Sequence, residues 1–195
     1  MYKKQVKLQK VLCLALLIIC AAVFVYSLGI MTDLYDALFG TIRRVSNLDN
    51  SQVTGSRVYY DMQEFNRNFL HVSIGLILLC LLLFFTNTHT RRRYYVGNYV
   101  AVGLFSAASI AAVVWAHQQI EVYKAQFLKI NFEELAAYAE KRKTLYTEST
   151  FWFDIHYVIF GLLLIGVVLL IANVIWKRKL MKEEHALIEQ GKEAV

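Results

Sequence analysis

Proline is absent from this chain of 195 residues. An average protein holds about 5% of it. Proline removes a backbone donor and kinks or breaks helices, and it is comparatively frequent in membrane helices. A chain without it is predicted to form straight helices joined by helical connectors. Carriers built on discontinuous helices show Gly/Pro interruptions near mid-span. Here only isolated glycines occur, such as Gly75, Gly103, Gly161 and Gly166.

Cysteine is scarce as well. Cys13, Cys20 and Cys80 lie inside apolar runs, and no two have CxxC spacing. That excludes a disulfide framework on an exposed loop. It also excludes a four-span thiol oxidoreductase, which needs exposed cysteine pairs. The cysteine-bearing outer loops of claudin-like and tetraspanin-like proteins are missing too. There is no Asn-x-Ser/Thr sequon, the acceptor pattern for N-glycosylation. Together these absences favour a bacterial cytoplasmic membrane over a eukaryotic secretory route.

A third shortage is local. Four apolar runs, 11–30, 68–88, 96–117 and 155–176, contain no Asp, Glu, Lys or Arg. Each matches the requirement of about 20 residues to cross the hydrocarbon layer. Pumps and proton-coupled carriers keep an ionisable group at mid-membrane, and none is found there. Small multidrug exporters, also four-span, use an intramembrane glutamate that this chain lacks. The predicted fold is an all-α membrane protein, a four-transmembrane-helix up-down-up-down bundle forming one membrane domain over 1–195. Hydrophobic residues make up 57% of the chain, which exceeds the range of about 45–50% for soluble domains.

The N-terminus resembles a signal peptide, with lysines before an apolar core. The run of about 20 residues is longer than an h-region of about 7–15. The bulky Ile19 before Cys20 is unsuited to lipoprotein cleavage. Span one is therefore predicted to be an uncleaved signal anchor.

The formal charge is +6, and its placement alternates between the runs. Lys3, Lys4, Lys7 and Lys10 precede span one. Arg91, Arg92 and Arg93 separate spans two and three. Lys177, Arg178, Lys179, Lys182 and Lys192 occupy the tail, 177–195. The connectors 31–67 and 118–154 hold more acidic than basic residues. Lysine and arginine near span ends set orientation, so both termini and the Arg91–Arg93 turn are predicted to be cytoplasmic. The basic charge then serves topology and attraction to anionic lipid heads. No nucleic-acid partner is expected.

The outer connectors carry apolar stripes at helical spacing. Leu34, Leu38, Ile42 and Val45 follow span one; Val58, Met62, Phe65 and Phe69 lead into span two; Ile120, Tyr123, Phe127 and Ile130 follow span three. These stripes predict helical extensions on the outer side of the bundle. Asn47 to Ser56 has the composition of a turn. Asn131, three residues before Glu134, has capping-box spacing and predicts a short helix from Phe132 to about Lys143. In the tail, Leu180, Glu184, Leu187 and Gly191, widened by Met181 and Ile188, form a modest amphipathic strip.

Three constellations stand out. In span three, Gly103, Ala107 and Ala111 recur every four residues. Small residues let helix backbones approach closely in lipid, so this stripe is predicted to be a packed face, within the bundle or against a partner. His71, His117 and His156 fall at similar depth near outer span ends, with Asp61, Glu64, Glu121 and Asp154 nearby in sequence. Hydrogen bonding across helices is their default role. The alternative is a metal set of His71, His117, His156 and Asp154, since imidazole and carboxylate suit zinc and other transition metals, or a haem held by histidine. Aromatic residues, Tyr59, Tyr60, Phe65 and Phe69 and then Phe151, Trp152, Phe153 and Tyr157, flank spans two and four as an interfacial belt.

No Ser-His-Asp order, HExxH, DxD pair or nucleotide motif is present. The expectation is a non-catalytic accessory or assembly subunit of a larger membrane complex, such as a transporter. Its partners would be lipids and a larger membrane protein, with no cofactor and no identifiable small-molecule substrate. The alternatives are a redox or metal protein using the outer histidines, and a sensor of an external ligand signalling through the tail strip.

Overall fold

The computed structural model describes residues 2–42, 53–88, 95–142 and 148–193. Among them are five helices: α1 (Tyr2–Ile42), α2 (Val58–Thr88), α3 (Tyr95–Phe127), α4 (Phe132–Arg142) and α5 (Phe151–Glu193). Four are long and apolar enough to cross a membrane, over Lys4–Leu28, Asp61–Thr86, Gly97–Phe127 and Phe151–Glu189. The chain is thus an all-helical, multi-pass membrane protein. Without proline, the long helices run uninterrupted. At about 1.5 Å per residue, α5 is about 65 Å long and α3 about 50 Å. Both are longer than the hydrocarbon layer, which is about 30 Å thick.

The Arg91–Arg93 turn and residues 47–52 of the predicted first turn lie outside the described residues. So does Val45 of the stripe after span one.

The chain divides into two compact units. The first comprises Met1–Cys20, Leu76–Ile110 and Leu162–Val195. Its core holds Leu16, Leu83, Phe105, Leu163 and Leu170 together with the three cysteines, all fully enclosed. The cysteines are unbonded to one another; the Cys80 thiol faces the Cys13 carbonyl at 3.8 Å. Gly166 permits a close approach in this unit. A Cβ there would lie 2.5 Å from Leu16 Cδ2 and 3.4 Å from its Cγ. The unit also buries amides. Gln5 Nε2 donates to Asn173 Oδ1 at 2.7 Å and to Gln9 Oε1 at 3.0 Å. In lipid, such interhelical bonds supplement van der Waals packing, because apolar helices gain nothing by leaving an apolar solvent.

The second unit comprises Ala21–Gly75 and Ala111–Gly161. Aromatic rings fill it. Phe65 and Phe69 stack at 5.6 Å, Trp115 lies 5.4 Å from Phe65, and Phe160 and Tyr26 each meet Phe69 edge-on at 6.1 Å. Tyr26 resolves its buried hydroxyl by donating to the Trp152 carbonyl at 2.8 Å. Phe127 lies 5.2 Å from Phe153 and 5.4 Å from Phe132. Phe65, Phe69 and Phe153 are therefore core residues, whereas Phe151 is exposed.

Helix starts follow local chemistry. The stripe Val58, Met62, Phe65 and Phe69 is buried along α2. Asn131 caps α4, its Oδ1 accepting the Glu134 amide at 3.3 Å. The reciprocal half of the capping box is diverted. Glu134 Oε2 accepts the Thr54 amide at 2.9 Å, and the Asn131 amide donates to the Thr54 carbonyl at 3.0 Å. The cap thereby fastens the turn before α2 onto the segment before α4. Gly55, at φ 84°, makes this fit possible. A Cβ there would sit 3.0 Å from both Ile130 Cα and the Lys129 carbonyl oxygen.

Candidate functional site

One polar cluster of the second unit lies between the last third of α3 and the start of α5. On α3, His117, Glu121 and Lys124 are spaced by four and three residues and share one face. On α5, Thr150 closes the N-terminus: its carbonyl accepts the Phe153 and Asp154 amides at 2.9 and 3.0 Å. Asp154 sits in the first turn, where the helix dipole favours a carboxylate. It accepts a hydrogen bond from Thr150 Oγ1 at 2.7 Å and forms an ion pair with Lys124. That pair and the Phe127–Phe153 contact align the two helices.

Between them the imidazoles meet. His117 Nδ1 lies 2.9 Å from His156 Nε2. His156 is 1% exposed, and its Nδ1 faces the Phe153 carbonyl. A carbonyl can only accept, so Nδ1 carries a hydrogen. In a neutral ring the lone pair then sits on Nε2, and His117 Nδ1–H is the donor. Glu121 Oε1 stands 3.9 Å from the same Nε2 and accepts the Tyr157 hydroxyl at 2.7 Å. His117, Glu121 and His156 can each present one ligand atom with all of these atoms within 4.8 Å of one another.

Of the set named from sequence, His117 and His156 come together and Glu121 is the carboxylate beside them. Asp154 is engaged by Lys124 and Thr150. His71 is exposed and belongs to no such group among the described residues. Glu121 lies one helical turn beyond His117, and that i, i+4 spacing is the signal that marks it over Asp154.

The span-three stripe has a definite place. The window of α3 is 44% buried, against 33%, 28% and 39% for α1, α2 and α5. Its buried face, however, is Val102, Phe105, Ser106, Ser109, Val113, Ala116 and Ile120. Gly103, Ala107 and Ala111 are all exposed, and a Cβ at Gly103 would meet nothing within 4 Å. Exposed Val100, Leu104, Ile110 and Val114 flank them.

Uncharged amides are buried in the first unit, Asn98, Asn173, Gln5 and Gln9, and so is Lys177, one of the tail cations. In the same unit a groove of about 460 Å³ opens beside the tail, lined by Tyr99, Arg178, Met181, Lys182 and His185. The Arg178 guanidinium lies 5.8 Å from the Tyr99 ring centre, within cation–π range.

Comparison with protein families, with curated proteins and with solved structures finds no match for this chain.

Proposed function

We propose that the chain is a non-catalytic accessory subunit that packs beside a larger membrane protein, such as a transporter core, in a bacterial cytoplasmic membrane. The carrying observation is the outward placement of Gly103, Ala107 and Ala111 on α3. A helix face that meets only lipid gains nothing from small residues. One that meets another helix gains close backbone approach. The flanking Val100, Leu104, Ile110 and Val114 supply walls for a helix seated on the small residues.

In this reading both termini are cytoplasmic, following the lysine and arginine bias. The connectors 31–67 and 118–154 then face outward, where they meet envelope components or substrate-delivering proteins. Arg178 and Lys182, beside Tyr99, face the inner leaflet and attract anionic lipid heads.

The test is co-purification from native membranes in mild detergent. Gly103→Leu and Ala107→Leu add bulk to a face that is exposed among the described residues. They are expected to leave expression and thermal stability intact while releasing the partner. Retention of the same partner by both variants would remove the α3 face from the assembly.

A further inference from the structure

We propose that His117, Glu121 and His156 bind one divalent first-row transition-metal ion of the zinc class, in a site with one coordination position left open. The inference does not rest on the accessory-subunit reading, which uses Gly103, Ala107 and Ala111, earlier along α3.

Three features carry it. The first is convergence. Two imidazole nitrogens and a carboxylate oxygen, supplied by two helices, surround one small volume. A tetrahedral ion with bonds of about 2.0–2.1 Å separates its ligand atoms by about 3.3–3.4 Å. The His117–His156 separation is 2.9 Å and the His156–Glu121 separation 3.9 Å. Opening the first by about 0.4 Å and closing the second by about 0.5 Å brings these two separations to that value.

The second feature is the direction of the lone pairs. His156 Nδ1 is tied to the Phe153 carbonyl, which commits Nε2 to the shared volume. Metal-bound histidines are held this way, with the other ring nitrogen on a carbonyl or carboxylate that fixes tautomer and orientation. Tyr157 holds the Glu121 carboxylate by donating to Oε1 itself at 2.7 Å, and that oxygen keeps a second lone pair for an ion. An ion would take the place of the hydrogen now shared between the two rings, that hydrogen moving to His117 Nε2 as the ring changes tautomer.

The third feature is access. His156 is buried, while His117 and Glu121 are half-buried. The ion therefore has a rigid back wall and an entry side. Two histidines and one glutamate leave a fourth position for water, the pattern of open rather than closed zinc sites. The adjacent Lys124 is ion-paired with Asp154, which offsets its charge toward the incoming ion.

The experiment uses the full chain in detergent, purified on a tag without histidine and stripped with a chelator. Zinc is titrated by calorimetry, and cobalt by visible absorption. One ion per chain is expected, with the intense d–d bands of four-coordinate cobalt. Glu121→Gln and His156→Gln should each abolish stoichiometric binding, while Tyr157→Phe weakens it roughly 10–100-fold. His71→Gln should bind like the parent. Circular dichroism checks that each variant is folded; the half-exposed Glu121 makes its variant the safer test. Absence of saturable binding by the parent would overturn the proposal. So would binding that survives in folded Glu121→Gln, or loss of the ion in His71→Gln equal to that in His156→Gln.

Discussion

Asn131 and Thr54 hold two distant parts of the chain together by a single backbone hydrogen bond of 3.0 Å, from the Asn131 amide to the Thr54 carbonyl. Glu134 adds the return bond to the Thr54 amide. The clasp closes only because Gly55 adopts a positive φ and lacks a side chain.

Gly55→Ala is therefore expected to cost about 1–3 kcal/mol, from backbone strain at positive φ and from contact with the Ile130 backbone. Thermal unfolding and limited proteolysis of the purified protein measure it. A wild-type unfolding midpoint would show that the clasp does not contribute to stability.

Tyr26→Phe removes the hydroxyl that donates to the Trp152 carbonyl and keeps the ring in the aromatic core. A loss of about 0.5–1.5 kcal/mol is expected, measured by unfolding in detergent. An unchanged stability would mean that the bond is replaced by solvent.

Gly166→Leu and Gly103→Leu form a contrasting pair. Gly166 faces Leu16 at close range, so bulk there should overpack the first unit and cost about 1–3 kcal/mol. Gly103 has open space and should cost little. Unfolding midpoints compare the two directly. Equal destabilisation would contradict the outward placement of Gly103.

The contrast shows what sequence pattern conveys. The period-four repeat of Gly103, Ala107 and Ala111 marks a helix face suited to close packing, but not which side of the chain it addresses. Gly166 has no such repeat around it, and its role depends on where Leu16 arrives. The four spans were legible because uncharged length has one physical meaning in a membrane. The α4 cap was legible from Asn131 and Glu134; the partner that claims the Glu134 carboxylate was not, since Thr54 is remote in sequence. At the histidine cluster the two rings were foreseeable, and the third ligand depended on side-chain direction. Gln5, Gln9, Asn98 and Asn173 escaped a search for charge because amides carry none.

Orientation is tested by labelling. Cysteines introduced at Asn50 and Lys141 should react with an impermeant thiol reagent added to intact cells, and one at Arg92 should not. The native Cys13, Cys20 and Cys80 are 0% exposed, so their background is low. Reaction at Arg92 in sealed cells would reverse the assignment of the termini.

Site-specific photo-crosslinking in native membranes tests the central claim most directly. A photoreactive residue replaces Ala107 on the small-residue face of α3, and in a separate variant replaces Val168, an exposed position on α5. The account predicts one discrete adduct with a larger membrane protein from Ala107 and none from Val168. Lipid adducts alone at Ala107, or the same pattern at both positions, would contradict it.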